Sequence, residues 1–354
     1  MTSQKIVFDR IAMLRYLMIV GIVVLHTPPY VPIAEMGSGL FDFIKAFFQS
    51  AMFRATVPVL TVISGYLLFQ SGLDQHWMRL AKKKTRTIIV PFLVFNLIVL
   101  AGAFGAQSMF GLNLSYQLLP FDLHTWIDAA SGFKNSPINY PLNFLRDLIV
   151  LMALSPLLGV MLRRMPWIGF MGVILIFFNN LDGILVLRDV MPIMFYFGGI
   201  AAIRKWDMLA LDRYATSCLA AFLVLCVCLV YYRIGNTTYF RYIAPFLIWP
   251  AASLLHSTRV GDWLKSQSKI SFFIFLAHAP LLIVLSVVYQ KLGSGIPYPL
   301  YWVAVPIIII AILSLLYHAF MRFCPRLFAP IIGADPDTAR GKAPYAGMPT
   351  RVAS

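Results

Sequence analysis

The stretch RYLMIVGIVVLH, residues 15–26, decides the fold class of this chain. An arginine and a histidine enclose ten residues that are almost all apolar and that suit the hydrocarbon core of a bilayer. The whole chain shares this character, with 60% apolar residues, 12% charged residues and a mean hydropathy of +0.79. A soluble domain carries about a quarter charged residues. The composition therefore predicts a polytopic membrane protein.

Ten apolar runs along the chain each approach the roughly 20 residues that cross a bilayer as a helix. Helices are expected because spans without a two-residue alternation must satisfy their backbone hydrogen bonds internally. The sequence thus predicts an all-α membrane domain over 1–325 and a flexible tail over 326–354. The transmembrane helices are predicted at 11–27, 50–69, 87–106, 142–162, 167–181, 190–203, 215–233, 240–256, 270–290 and 301–322.

The distribution of Lys and Arg residues predicts the orientation of these spans. If the N-terminus is cytoplasmic, 21 of the 29 basic residues fall on that side. The positive-inside rule then places both termini in the cytoplasm. The same bias explains the net charge of +15, so this charge does not indicate nucleic acid as a partner. The four cysteines have no metal-ligand spacing and no place in outward loops, so neither a metal site nor a disulfide framework is predicted.

Arg15 and His26 are the first candidate functional pair. They are eleven residues apart, so a helix separates them by about 16 Å along its axis and by about 20° around it. The two side chains should therefore share one helix face, near opposite sides of the membrane. Structural alternatives stay open at this point: Arg15 as a snorkelling residue at the interface, and His26 as an interface residue before the helix-breaking Pro28.

The second span and the loop after it add further candidates. Arg54, near the outer end of this span, could approach His26 if the two helices pack together. Ser64 and Gly65, near the inner end, are small residues that allow close helix packing. The basic run KKKTR at 82–86 follows on the cytoplasmic side. Topology explains part of this run, but it also suits an anionic ligand, because Lys and Arg are the usual phosphate partners.

Five stretches of the sequence together resemble the acyltransferase-3 family of integral membrane acyltransferases. Arg15 and His26 match its first-span pattern of a basic residue and a histidine with ten residues between them. RATVPVLTVISGYLL (54–68) resembles the second-span signature around VPLFFxxSGY. Lys83-x-x-Arg86 is similar to the basic R-x-x-R motif, with lysine in the first place.

Two later stretches extend the resemblance over nearly the whole chain. PLNFLRDLIVLMALSPLL (141–158) resembles a fourth-span stretch, with Asn143 where an aromatic residue is common. ISFFIFLAHAPLL (270–282) resembles the late-span S-x-x-I-Y-L-x-H signature, with Phe275 in the tyrosine position and His278 as the histidine. The opening RIAMLRY…VVLHTPPYVP most resembles the branch that decorates bacterial exopolysaccharides, the succinoglycan succinyltransferases.

The resemblance implies a reaction. The family moves an acyl group from a cytoplasmic acyl-CoA, such as succinyl-CoA or acetyl-CoA, to a sugar hydroxyl, here of an exopolysaccharide or its lipid-linked precursor. It implies a multi-pass protein of the bacterial inner membrane, among membrane lipids and polysaccharide synthesis machinery, with no permanently bound cofactor or metal. Lys83 and Arg86, with Arg15, would bind the CoA phosphates. His26 would act as general base on the hydroxyl, by direct transfer or through an acyl-histidine intermediate.

The remaining candidates would support this chemistry. The oxyanion formed at the thioester carbon needs donors, and Arg54 and Arg146 are the outer-side cations that could supply them. Asp147 is expected to pair with Arg146 or to orient the catalytic histidine, and a plain salt bridge between helices is the structural alternative. His278 falls about a third of the way into its predicted span from the cytoplasmic side, where a polar group needs a partner. It and Ser64 are therefore either site residues or interhelical contacts.

Two other functions suit a polytopic chain with interior charges. One is a transporter or flippase for a glycan or lipid, and the other is a non-catalytic subunit of a polysaccharide synthesis complex. The sequence shows no internal repeat and no matching pair of broken spans, which disfavours the transporter. Glycan that is exported normally but lacks an acyl group when the histidine is removed would favour the enzyme over both alternatives.

Overall fold

The structure is a computed structural model that describes residues 2–111, 114, 116–292 and 295–334, and every regular element among them is helical. This confirms the predicted all-α class. Helical turns at 47–55 and 85–89 join α2 to α3 and α4 to α5 into two longer runs. The α-helices are α1 Ser3–Leu25, α2 Leu40–Ala46, α3 Thr56–Gln70, α4 Trp77–Lys84, α5 Val90–Phe110, α6 Leu123–Ser131, α7 Asn143–Arg164, α8 Pro166–Phe178, α9 Val190–Ile203, α10 Ala215–Tyr231, α11 Thr238–Ala251, α12 Arg259–Leu292, α13 Tyr298–Phe323 and α14 Pro325–Ile331.

The lengths of these helices show a multi-pass membrane protein. Each of the ten predicted spans coincides with a helix, and the largest boundary error is at α12, which begins at Arg259 rather than at 270. The number of crossings and the cytoplasmic position of the termini stay predictions. Among the described residues, six helical runs are long and apolar enough to cross a bilayer: Leu40–Gln70, Trp77–Phe110, Tyr140–Arg164, Asp212–Tyr231, Arg259–Lys291 and Tyr298–Phe323.

The helices α3 and α9 pack against each other more extensively than any other pair of helices among the described residues. A Cβ atom built on Gly65 would lie 2.1 Å from the carbonyl oxygen of Phe195, and one on Gly198 would lie 2.2 Å from that of Val62. No larger side chain fits there without separating the helices. This confirms Gly65 as a packing residue, in the manner of small residues at membrane helix interfaces.

The segment between α5 and α7 has its own small core in the residues that the structure describes. The Tyr116 hydroxyl donates to the backbone oxygen of Ser136 at 2.6 Å and to Oδ2 of Asp128 at 3.2 Å. Burial and, to a smaller extent, the neighbouring Asp128 carboxylate together raise the pKa of Tyr116 to about 12. The phenol therefore stays protonated as a donor. Asn139 ties the end of the segment to α12, because its Nδ2 donates to the backbone oxygen of Leu276 at 3.1 Å.

The C-terminal boundary differs from the predicted tail over 326–354. Residues 325–331 form α14, and Phe328 is buried between the rings of Phe273 and Tyr317, with centroid distances of 5.1 and 6.0 Å. The burial of this aromatic side chain holds the segment on the bundle. Residues 335–354 of the predicted tail lie outside the described residues.

Candidate active site

His26 lies at the end of α1, where the helix stops. Leu25 is the last helical residue, and two prolines that lack a backbone N–H follow soon after. Gln49 compensates for the lost helical hydrogen bonds, since its Nε2 donates to the backbone oxygens of Val24 at 3.0 Å and Thr27 at 2.7 Å. The buried amide of Gln49 therefore fixes the turn that carries His26.

His26 is hydrogen-bonded to His278, which is fully buried on α12. Nδ1 of His26 lies 3.1 Å from Nε2 of His278. Nδ1 of His278 faces the backbone oxygens of Phe275 at 2.8 Å and Ile274 at 3.2 Å. A carbonyl oxygen only accepts, so this Nδ1 carries the hydrogen, and Nε2 of a neutral His278 is an acceptor.

The direction of this hydrogen bond sets the tautomer of His26. Because Nε2 of His278 accepts, Nδ1 of His26 must donate, and Nε2 of His26 retains its lone pair. A ring contact with Tyr140, edge-on at a centroid distance of 4.9 Å, holds the imidazole from the other side. The arrangement leaves Nε2 of His26 unprotonated, in a fixed orientation and without a hydrogen-bond partner among the described residues, which is what a general base or a nucleophile needs.

The structure corrects the predicted depth of His278. The sequence placed it about a third of the way into its span from the cytoplasmic side and His26 near the outer end, yet the two side chains are hydrogen-bonded. The reason is that α12 begins eleven residues before the predicted start and packs against α1. His278 is therefore the hydrogen-bond partner of His26, and this bond also joins α12 to α1.

His26 opens into an outer cavity of about 110 Å³ that three arginines line. These are Arg54, Arg188 and Arg241, and no Asp or Glu is among the described residues that line the cavity. The predicted approach of Arg54 to His26 is thus found in the structure. Arg54 itself donates to the Tyr30 hydroxyl and lies over that ring, with its Cζ 5.1 Å from the ring centroid.

Arg188 and Arg241 were not identified from the sequence. Arg188 lies in the short connection before α9, and Arg241 lies in the first turn of α11. Both positions are at the ends of apolar helices, where a basic residue usually extends its charged group to the membrane surface and has no other role. No local pattern distinguishes them from the other outer-side cations, because the cavity that joins them exists only after α1, α3, α7, α9, α11 and α12 have packed.

A second, larger cavity of about 450 Å³, here called the inner cavity, lies beside the N-terminal and middle turns of α1. Arg15, Lys83 and Lys84 line it, and of these only Lys84 was absent from the predicted ligand set. Hydroxyl side chains that also line it belong to Ser64, Ser71, Thr87, Ser268 and Ser271. Three cations with several hydroxyl groups form a suitable environment for phosphate groups.

Ser64 and Arg86 occupy different positions relative to this second cavity. Ser64 lines it, while its hydroxyl donates to the backbone oxygen of Leu60 at 2.7 Å, one helical turn earlier. Arg86 is exposed and is not among the residues that line the cavity. The structure therefore brings Lys83 and Lys84, rather than Lys83 and Arg86, together with Arg15.

One face of α1 connects the two cavities. Arg15 and Ile19 line the inner cavity, and Ile22 and His26 line the outer one. These positions are spaced by four, three and four residues, which is the spacing of a single helix face. The prediction that Arg15 and His26 share a face is confirmed.

Phe144 and Phe275 separate the two cavities. Both residues line both cavities, and their rings pack edge to face with a centroid distance of 5.9 Å and an interplanar angle of 85°. Phe275 also supplies the backbone oxygen that orients His278. The aromatic pair therefore forms the barrier between the basic inner cavity and the histidines.

The structure assigns Arg146 a different role from the predicted oxyanion donor. Its five N–H groups all have acceptors at 2.5–3.1 Å, so none is left for a substrate. The acceptors are the backbone oxygens of Gly132, Phe133, Ile184 and Leu185 and Oδ1 of Asp147. Arg146 thus fastens two loops to the start of α7, and we replace the catalytic assignment with a structural one.

Asp147 completes this structural unit. Its Oδ1 accepts from Arg146 Nη1 at 3.0 Å and from the backbone N–H of Leu187 at 3.0 Å. Of the two expectations for Asp147, the ion pair with Arg146 is found, and no hydrogen bond joins Asp147 to His26 among the described residues. The carboxylate is fully buried.

Comparison with known proteins agrees with this geometry. The family model described as an acyltransferase domain, the acyltransferase-3 model, matches residues 8–318. The chain is 32% identical over 344 residues to the succinoglycan biosynthesis protein ExoH of Rhizobium meliloti (strain 1021), and the match covers 92% of each chain. No solved structure matches the chain. On the extent of the family match and of this similarity, the chain belongs to the acyltransferase-3 family of membrane acyltransferases.

Proposed function

We propose that this protein is an O-acyltransferase of the bacterial inner membrane that takes an acyl group, succinyl or acetyl, from cytoplasmic acyl-CoA. The acceptor is a sugar hydroxyl of an exopolysaccharide or of its lipid-linked precursor. The similarity to a succinoglycan biosynthesis protein supports this acceptor class. The observation that carries the proposal is the oriented histidine pair, His26 and His278, between a basic cavity and an arginine-lined cavity.

Arg15, Lys83 and Lys84 would bind the phosphates of acyl-CoA at the inner cavity. The CoA moiety carries several phosphates at one end and the thioester at the other. A donor anchored at these cations would direct its thioester along the shared face of α1, past Ile19 and towards His26. The acyl group would have to pass the Phe144–Phe275 pair to reach the histidine.

His26 would act through its free Nε2. In direct transfer, Nε2 removes the proton of the sugar hydroxyl while the oxygen attacks the thioester carbon. The tetrahedral intermediate then expels the CoA thiolate, which takes the proton from His26, so that one C–O bond forms as one C–S bond breaks. Arg54 in the outer cavity is the cation placed to stabilise the negative charge on the intermediate.

An acyl-histidine route uses the same atoms. Nε2 of His26 would attack the thioester, forming an N–C bond as the C–S bond breaks and CoA thiolate leaves. The sugar hydroxyl would then attack the acyl carbon, the N–C bond would break, and Nε2 would take the hydroxyl proton and pass it to the CoA thiolate or to water. In both routes His278 holds the tautomer that leaves Nε2 of His26 unprotonated. In the acyl-histidine route the two substrates, acyl-CoA and the glycan, would not have to be bound at the same time.

The proposal is tested with the His26→Ala variant in cells that produce the glycan. Acyl substituents on the purified glycan are measured by mass analysis and compared with the wild-type protein. The matched control is His318→Ala, since His318 is exposed and bonds only to the backbone oxygen of Ser314 among the described residues. We expect normal glycan export without the acyl group for His26→Ala alone. Loss of export with unchanged substituents would instead identify a transporter.

A further inference from the structure

The three arginines of the outer cavity have a charge that its other lining residues do not balance. Arg54, Arg188 and Arg241 line it with His26, and the remaining lining residues are apolar or are threonine. The proposed transfer chemistry uses at most one cation here, to stabilise an oxyanion. Three cations around a cavity of about 110 Å³ are therefore more than the reaction itself requires.

Nearby carboxylates offset the charge of this cluster only from a distance, without forming an ion pair with it among the described residues. Asp147 is within electrostatic range of Arg188 but forms its ion pair with Arg146, and no ion pair with Arg188 within 4.0 Å occurs in the described residues. Asp189 lies near Arg241, also without an ion pair at that distance among the described residues. Charges in a low-dielectric site are costly unless they are paired.

Arg188 gives independent evidence for a ligand. Its Nη1 is sealed from solvent and has no hydrogen-bond partner among the described residues. A buried donor without a partner is rare in folded proteins, because it loses its hydrogen bonds to water and gains nothing. The guanidinium lines the cavity beside His26, so an acceptor in that cavity would satisfy it.

We propose that Arg188 and Arg241 form a subsite that binds a substrate carboxylate next to His26, while Arg54 remains for the oxyanion. A guanidinium and a carboxylate form paired, charge-assisted hydrogen bonds. A terminal carboxylate fits a small cavity better than a diphosphate, which carries a chain at each end. The subsite lies on the opposite side of Phe144 and Phe275 from the basic cavity proposed for the CoA phosphates.

The carboxylate can come from the acyl donor or from the acceptor sugar. The choice between these two sources rests on the proposed function, whereas the binding of a carboxylate does not. A dicarboxylic acyl group would place its free carboxylate here while its thioester carbon lies at His26. An acidic sugar of the acceptor would place its carboxylate here while a hydroxyl lies at His26. In both cases the arginines select the substrate, and His26 performs the transfer.

The first test measures binding and does not depend on catalysis. The full-length protein is purified in detergent, and its unfolding temperature is measured with succinate and with the neutral diamide of succinate. We expect succinate to raise the unfolding temperature and the diamide to leave it unchanged. Arg188→Gln should abolish the increase, whereas Arg233→Gln should retain it, because Arg233 is exposed and lies outside the cavity.

The second test identifies the source with the same variants in proteoliposomes. If the carboxylate belongs to the donor, Arg188→Gln should lower the ratio of kcat/KM for succinyl-CoA to that for acetyl-CoA by roughly 10- to 100-fold, as expected for a charged hydrogen bond. If the carboxylate belongs to the acceptor, Arg188→Gln should instead lower the ratio of kcat/KM for the acidic glycan to kcat/KM for its carboxyl-reduced form.

The outcomes separate the subsite from the enzyme. Unchanged succinate binding together with unchanged ratios in Arg188→Gln would overturn the carboxylate subsite. Wild-type protein that transfers no acyl group from any CoA donor would overturn the proposed function, and the binding test would still decide whether the arginines hold a carboxylate.

Discussion

Nδ1 of His26 and Nε2 of His278 lie 3.1 Å apart, although 252 positions separate the two residues in the sequence. The second nitrogen of His278 donates to backbone oxygens of its own helix. A chain of two hydrogen bonds thus runs from the backbone of α12 to His26 and fixes where the protons are. His278 acts as a positioning residue for His26.

Removal of His278 should reduce the rate of transfer more than the affinity for substrates. We expect His278→Ala to lower kcat by about 10²–10⁴-fold with little change in KM, because His26 loses the partner that fixes its tautomer. His278→Gln, whose amide oxygen can still accept from Nδ1 of His26, should recover part of the rate. Steady-state kinetics in proteoliposomes give both constants. A higher KM at unchanged kcat would show that His278 contacts substrate instead.

Lys84 should contribute to acyl-CoA binding although the family motif points to Arg86. Lys84 lines the inner cavity, whereas the neighbouring Lys82 is exposed and does not. Loss of a charged hydrogen bond worth about 1.5–3 kcal/mol should raise the Kd of acyl-CoA by roughly tenfold or more in Lys84→Ala. Lys82→Ala serves as the matched control and should leave the Kd unchanged.

The comparison with Arg86→Ala decides between the two assignments in the basic run. Calorimetric titration with acyl-CoA would measure all three variants in the same detergent. If Arg86→Ala weakens binding and Lys84→Ala does not, the phosphate site follows the motif rather than the cavity.

Replacement of Phe144 should join the two cavities. We expect Phe144→Ala to increase the hydrolysis of acyl-CoA in the absence of acceptor, because water from the outer cavity would reach the thioester once the edge-to-face contact with Phe275 is lost. Release of free CoA thiol measures this reaction. Phe178→Ala is the control, since Phe178 is exposed on α8 and lines neither cavity. Equal hydrolysis in both variants would show that Phe144 is not the barrier.

Arg146→Ala should destabilise the protein. The change leaves four backbone oxygens without their donor and Asp147 without its ion-pair partner. Breaking a buried ion pair in this way costs about 3–5 kcal/mol. The expected result is a lower Tm in detergent and less folded protein in the membrane.

Arg146→Lys should not restore stability, because an ammonium group cannot replace the five-donor fork of a guanidinium. If either Arg146 variant has the native Tm but no transfer activity, Arg146 takes part in the reaction after all. Thermal unfolding measured beside transfer activity distinguishes these results.

The sequence by itself determined the helices and the shared face of Arg15 and His26. Apolar length and helical periodicity are local properties, so a run of suitable residues forms a span in whatever bundle it joins. The same locality explains why Arg54 could be predicted near His26: α1 and α3 are consecutive long helices, and consecutive elements are usually adjacent.

Only the tertiary structure decided which polar groups act together. The pairing of His26 with His278, the entry of Arg188 and Arg241 into the same cavity, and the use of every Arg146 donor by loop carbonyls depend on the packing of helices far apart in the chain. A shift of one helical turn in α12 would displace His278 by about 5.4 Å and break its hydrogen bond. Such offsets are set by side-chain packing over the whole bundle, because membrane helices associate through close packing and interhelical hydrogen bonds, and no local sequence pattern contains them.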